Sequence, residues 1–363
     1  MFIQEPKIWI GLDVSKLSIN YAVIKTNKNN SFTDCRFTNG SISNDLKGYA
    51  DLEHFLMKFK KSELALICET TGVYNIPICN YFLKKGYYVV EEHARNIKHF
   101  AIAMCNRGKT DELDAQLICF YGHLKNPSPK FAKFDEILEL ERKVKLRDVL
   151  KKQAQQFGGL TESFEFPYHA VGFELNEKAP ASILLNQQLV AETALNLKNM
   201  EKEVNGYVKL KFKDTYENLL TIPQVGEITA SVIIANTMNF KKFDNEKQFI
   251  NYCGLVPRPY ESGTSVNGKK KIPFKFQCDV EVRTALYNTV SGAISMLRTG
   301  KCKNKGLQSA YNALPTHIKT EKGIGGKSHH KHIYIVLSRQ LAKQIFVCGK
   351  YGRQYQANPA QAA

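Results

Sequence analysis

Lys109-Thr110-Asp111-Glu112-Leu113-Asp114-Ala115 places two aspartates three residues apart. They follow a Gly108-Lys109 break and open an apolar-periodic run through Leu113, Leu117, Ile118 and Tyr121. Thr110 or Asp111 suits a helix N-cap, so the pair reads as the first turn of a helix. Positions i and i+3 share a helix face, and both carboxylates can then address one point. Like charges held this way repel unless a cation lies between them. A hard divalent ion, Mg²⁺ or Mn²⁺, is the usual partner. Alone, Asp-x-x-Asp reads first as a solvated helix start; the acids upstream change that.

The elements that must position further acids lie before it. Ile8 to Leu12 is a short apolar run, hence a buried strand, and it ends in Asp13. Val14-Ser15-Lys16 form a tight turn. Ser18 to Ile24 alternates as a second strand, and Ser31 to Thr38 reads as a third. Leu46 to Phe59 has helical spacing. Leu64 to Cys68 is another buried strand, ending in Glu69. Thr70 to Tyr74 turns into a helix through Leu83. Tyr88 to Val90 is a fifth strand, with helical segments from Arg95 onward. That succession fits a ribonuclease H-like α/β domain, a mixed sheet covered by helices. In such a sheet Asp13, Glu69, Asp111 and Asp114 converge on one edge. Four carboxylates there would hold two divalent ions about 4 Å apart, the arrangement that serves phosphodiester chemistry.

Charge points to the same class of partner. The 363 residues carry 51 Lys+Arg against 34 Asp+Glu, a formal +17. Such a field favours polyanions, nucleic acid first and anionic membrane second. The length suits two or three domains. The nine cysteines stand singly, with no Cys-x-x-Cys, and most lie in apolar runs (Cys68, Cys79, Cys119, Cys348). They read as buried hydrophobes in a reducing compartment. No leader pattern and no long apolar stretch is evident, so a cytoplasmic protein with no membrane partner is expected.

The rest of the chain divides at Asn126-Pro127-Ser128-Pro129. Phe134 to Phe157 and Ser182 to Leu210 have helical spacing among many charges, with an interruption at Gly158-Gly159 and from Phe164 to Ala179. They read as an antiparallel coiled coil; a helical hairpin packed on its own domain is the alternative. Leu219 to Ala230 resembles a helix-hairpin-helix, whose Pro223-to-Gly226 turn would offer backbone N–H groups to phosphate, or a plain turn between helices. Tyr252 to Gly268 is a Gly- and Pro-rich loop followed by Lys269, Lys270 and Lys271. Arg258, that lysine run and Arg283 can bind and neutralise a phosphate, and a hydroxyl beside them (Ser262, Thr264 or Ser265) can attack phosphorus. The Gly, Lys and His tract from Lys322 to His332 reads as a basic loop that touches phosphate. His332 to Val347 is a final helix, and the polar tail is expected to be disordered.

Three stretches now resemble one family. Gly11-Leu12-Asp13-Val14-Ser15-Lys16, Glu69-Thr70-Thr71-Gly72-Val73-Tyr74 and Lys109 to Ala115 look like the acidic motifs of the DEDD transposases. These are recombinases of insertion-sequence family 110, relatives of the Piv DNA invertase, whose N-terminal domain resembles the RuvC junction nuclease. Gly254-Leu255-Val256-Pro257, then Tyr260 to Ser265, then Arg283, Leu286 and Tyr287 match the family's mainly α transposase domain. The usual Gly shortly before that Arg is absent, since Phe274 to Asp279 contains none. The resemblance implies a RuvC-like catalytic domain (1–125), a coiled-coil middle (126–215) used in assembly, a transposase domain (216–350) and a tail (351–363). It implies catalysis by Asp13, Glu69, Asp111, Asp114 and a serine nucleophile, which maps to Ser262. Divalent metal would sit on the four acids, and Lys16, Lys109, Arg258, Lys269, Lys270, Lys271 and Arg283 would contact nucleic acid. Donor and target DNA, a structured non-coding guide RNA and further copies of the chain, as dimer or tetramer, are the implied partners. The rival readings are a metal-dependent junction nuclease that uses water and, for the sheet alone, a nucleotide-binding fold, which would want glycine-rich phosphate loops this chain lacks.

Overall fold

The computed structural model describes residues 8–26, 32–70, 72–104, 110–127, 135–172, 175, 179–256, 278–315 and 330–357. The chain forms two compact units, Met1–Phe134 and Asp135–Ala363.

The first unit is built on five strands in the order β3-β2-β1-β4-β5. They are β1 (Ile8–Val14), β2 (Ser18–Thr26), β3 (Arg36–Ser43), β4 (Leu64–Glu69) and β5 (Tyr88–Glu92). The first three are antiparallel neighbours. β4 runs parallel to β1, and β5 parallel to β4. The helices are α1 (Leu46–Leu56), α2 (Ile76–Lys84), α3 (Ala94–Ala103) and α4 (Asp111–Lys125).

Side-chain alternation along the strands sorts two cores. Ile10, Leu12, Val14, Leu64, Leu66 and Cys68 face the α1 and α2 side, with Leu52, Leu56, Ile78 and Phe82. Trp9, Ala65, Ile67 and Val90 face the α3 and α4 side, with Ile97, Leu117, Ile118 and Cys119. Several expected boundaries shift: β2 runs on to Thr26, α1 stops at Leu56 and not Phe59, and β5 extends past Val90 to Glu92. β1 runs one residue past Asp13. β3 starts at Arg36, because Phe32–Asp34 forms a short 3₁₀ turn where a strand was expected.

In the second unit α5 (Asp135–His169) and α6 (Ala181–Lys211) pair antiparallel. Arg147 donates to Glu201 at 2.8 Å, Lys143 reaches Glu203, and Asn186 donates to Thr161 at 3.1 Å. α5 passes through Gly158-Gly159 without a break, contrary to the interruption expected there. The base of the hairpin belongs to the unit's core through Leu140, Val144, Val204 and Val208. From Lys145 to Gly172 no residue is buried. The core continues through α7 (Lys213–Leu220), α8 (Glu227–Thr237), α9 (Glu246–Tyr252), α10 (Val280–Arg298), α11 (Lys305–Asn312) and α12 (His330–Tyr351). Past α12, Tyr355 packs back: its N–H donates to Thr221 at 2.8 Å and its hydroxyl to Asn304 at 3.2 Å. Among the described residues no helix is long and apolar enough to cross a membrane. Cys68, Cys79, Cys119, Cys253, Cys302 and Cys348 are buried free thiols, while Cys35 and Cys278 are half-buried.

Candidate active site

Parity decides which acids meet. Asp13 continues the odd-numbered series of Trp9 and Gly11, and Glu69 that of Ala65 and Ile67, so both carboxylates point to the α4 side. β1 and β4 are parallel neighbours, and Asp13 and Glu69 stand one step past the paired Leu12 and Cys68. The other two acids come from the start of α4. Thr110 is the N-cap: its hydroxyl accepts from the Leu113 N–H at 3.2 Å and its carbonyl from the Asp114 N–H at 2.9 Å. Asp111 and Asp114 therefore lie in the first turn, where the helix dipole favours negative charge.

Close contact seats α4 on β1. A Cβ at Gly11 would meet the Ala115 carbonyl oxygen and the Cys119 nitrogen, both at 2.3 Å. A Cβ at Gly122 would strike the Trp9 ring at 2.5 Å. The Cys119 thiol donates to the Trp9 carbonyl at 3.0 Å, and burial pushes that thiol up to about 12. On the far side, the Asn39 amide donates to Glu112 and ties α4 to β3.

The electrostatics register the meeting. Burial first, then the carboxylates of Asp114, Asp111 and Glu69, push Asp13 up from 3.8 to about 6. Glu69 is also raised, by burial first and then by Asp114, while His93 opposes the shift. The four acids thus stand close enough to feel one another's charge. Among the described residues no group of three or more His, Cys, Asp or Glu side chains is arranged to hold a metal ion. The donor set is all carboxylate oxygen, which fits Mg²⁺ or Mn²⁺ and not a thiophilic ion.

Two residues at this edge are absent from those picked out of the sequence. Glu92, buried, ends β5 in register with Glu69; its carboxylate accepts from the His93 N–H at 2.9 Å and from Asn96 at 2.8 Å. His93 caps α3 by accepting from the Arg95 N–H at 3.1 Å. The signal was present: Tyr88 to Glu92 is a parallel strand that ends at the same edge as Glu69.

Of the expected nucleic-acid contacts, Lys16 is exposed in the β1–β2 turn. Arg283 lies in the first turn of α10 and reaches the Cys278 sulfur at 3.5 Å. Lys109, Arg258, Ser262, Thr264, Ser265 and Lys269 to Lys271 lie outside the described residues. The flanks of 257–277 are pinned together. Gly254, at φ 67°, would drive a Cβ into Cys278 at 2.5 Å. The Asp279 N–H donates to the Tyr252 carbonyl at 2.9 Å, and the Tyr252 hydroxyl donates to the Asp279 carboxylate at 2.6 Å. Pro223 to Gly226 does separate two helices, α7 and α8, with Gly226 at the start of α8 and open space around it.

A mixed five-stranded sheet that gathers carboxylates on one edge, followed by a mostly helical remainder, has the architecture of RuvC-like enzymes that act on polynucleotides. Residues 10–158 match the family model of the DEDD transposases of IS110 elements, and residues 216–305 match the one described as "Transposase IS116/IS110/IS902 family". The pilin gene-inverting proteins of Moraxella bovis and Moraxella lacunata are each 26% identical over 284 residues, covering 77% of this chain and 81% of theirs. The chain belongs to the IS110 family of transposases and is a DNA recombinase.

Proposed function

We propose that this transposase moves an insertion element by cutting and rejoining DNA through a phosphoserine at Ser262, assisted by divalent metal on Asp13, Glu69, Asp111 and Asp114. The observation that carries the reading is the gathering of four acids at one edge of the sheet, where burial and then Asp114, Asp111 and Glu69 raise Asp13 to about 6. Metal bound there would stabilise charge on phosphoryl oxygens. The chain's own contribution is placement. β1 and β4 hold two acids and the capped start of α4 holds two more, so the site is shaped before DNA arrives.

The serine step conserves bond energy. The Ser262 Oγ loses its proton and bonds to phosphorus as the bond from phosphorus to a sugar oxygen breaks, and that oxygen takes up a proton. A hydroxyl from the strand to be joined later attacks the phosphoserine and releases Ser262. Support comes from the anchored ends at Tyr252 and Asp279 and from Arg283 beside them. Residues 1–125 would carry the metal chemistry and residues 216–350 the serine. The hairpin between them would assemble copies into a dimer or tetramer, because Leu160, Phe166, Leu185 and Leu195 stay exposed along it. Guidance by a structured RNA fits the +17 charge, with sequence choice left to base pairing.

Asp111→Asn should bind DNA yet leave strands uncut, since it removes a ligand and not a phosphate contact. Full recombination by that variant in Mg²⁺ would sink the metal assignment. Ser262→Ala should bind but give no protein–DNA adduct on a denaturing gel. An adduct that persists and maps to Ser265 would move the nucleophile. Cleavage without any adduct in the wild type, on substrates that block rejoining, would favour a water-driven nuclease. RNA recovered with the purified protein and sequenced tests guidance; none recovered from the native host would remove it.

A further inference from the structure

Two helices bring a pair of tyrosines together on the surface of the second unit. Tyr287 lies two turns into α10 and Tyr334 one turn into α12. Their ring centroids stand 4.4 Å apart with 30° between planes, a tilted pair, and Tyr334 is half-buried against the unit's core. Tyr287 keeps 47% of its surface exposed, far more than a ring packed for stability retains. The Tyr334 hydroxyl lies 3.5 Å from the Ser291 hydroxyl, and the next residue, Gly292, would meet nothing within 4 Å if it carried a Cβ. A hydroxyl therefore stands beside the tyrosine pair.

The two helices carry mostly positive charge. α12 contains no acid and carries Lys331, Arg339, Lys343 and Lys350. α10 contains a single acid, Glu281, which accepts from Asn236 at 3.1 Å. Lys331, exposed, is one turn before Tyr334, and Arg283 is one turn before Tyr287 on the same helix face. An exposed tyrosine ring backed by a second, half-buried one, with a cation a turn away on each helix, has the composition of a single-strand binding surface: ring faces take bases, cations take phosphates.

We propose that Tyr287 and Tyr334 form a stacking platform for one unpaired base of a DNA or RNA strand, with Lys331 set for its phosphate. The platform rests on the reading of this chain as a DNA recombinase and adds a strand-holding site to it.

The test uses the full chain and fluorescence anisotropy with short labelled oligo-dT and oligo-U, each with and without one abasic position. Tyr287→Ala and Tyr334→Ala should each weaken binding roughly tenfold, the scale of one lost stacked base, while the salt slope stays as in wild type. Tyr287→Phe and Tyr334→Phe should bind like wild type, because the ring and not the hydroxyl stacks. Lys331→Ala should weaken binding and flatten the salt slope by about 0.7, the single-strand value for one phosphate. The dT and U arms tell which strand the site prefers. Photo-crosslinking of a 5-iodouracil probe to wild-type protein should map to the peptides of Tyr287 or Tyr334, so the conclusion does not hang on variants that misfold. Alanine variants with unchanged melting and wild-type affinity, or cross-links that map elsewhere, overturn the platform. In both cases duplex cleavage by the wild type would leave the recombinase reading standing. Absence of any DNA binding would instead remove that reading.

Discussion

Gly11→Ala tests whether α4 and β1 together set the acid geometry. The added Cβ would lie 2.3 Å from the Ala115 carbonyl oxygen, 2.3 Å from the Cys119 nitrogen and 2.7 Å from the Cys119 Cα, all backbone. Ordinary contact begins at 3.4 Å. No side chain can rotate away, so the helix itself must retreat by about 1 Å, an overpacking cost of about 1–3 kcal/mol. α4 is stiff, so Asp111 and Asp114 travel with it while Asp13 stays on the strand. A shift of about 1 Å in reacting groups costs on the order of 100-fold in rate. The assay is single-turnover cleavage of labelled DNA in Mg²⁺, with a melting curve on the same sample. Gly158→Ala is the control: its site meets nothing within 4 Å on the same criterion, and Ala should stabilise α5 by up to about 1 kcal/mol without touching cleavage. A Gly11→Ala protein that melts and cleaves like the wild type would refute the argument.

Asp13 binds a proton more readily folded than unfolded, so metal-free stability should fall as pH rises from about 4 to about 6 and stay lower above. Asp13→Asn should therefore melt higher than the wild type at pH 8 in EDTA, by about 1–2 kcal/mol after allowing for solvent around a half-buried group, with no gain at pH 4. Wild-type cleavage should climb through pH 6 as Asp13 becomes free to bind cation. His93→Ala removes the group that opposes the rise at Glu69 and should move that climb to higher pH. Thr110→Ala should cost about 1 kcal/mol of stability by removing the cap, and cleavage should fall by more than that because the first turn carries two of the acids. Nucleic-acid affinity should drop steeply between roughly 50 and 200 mM salt, and a flat response would assign the basic surface to another task.

Much of the first unit was legible because its signals are local. Short apolar runs at Ile8 to Leu12 and Leu64 to Cys68 can only be buried strands, and strand parity then sends Asp13 and Glu69 to one face. The Thr110 cap is likewise written in adjacent residues. What failed was where neighbours override local rules. Phe32–Asp34 tightens into a 3₁₀ turn, with Phe32 packed on Phe37 and Phe120, and this delays β3. Gly158-Gly159 looks like a break, yet α5 continues because neighbouring α6 supplies pairing on both sides, at Arg147 and Thr161. The Tyr355 anchors come from residues far apart in the chain and leave no pattern to read. Glu92 and His93 were readable too, because β5 runs parallel to β4 and ends in register with Glu69.

The seating of Gly11 beneath Ala115 and Cys119 also sets a timetable for synthesis. Strand β1 emerges first and α4 last among the elements of the first unit, so this contact has the longest loop to close. On the ribosome Asp13 and Glu69 appear a few seconds before Asp111, at about 5–20 residues per second. During that interval the sheet lacks its covering helix and the acid set is half complete. On the proposed mechanism a chain without α4 holds only half of the acid set, and one that ends before Ser262 has no nucleophile, so neither should cut DNA.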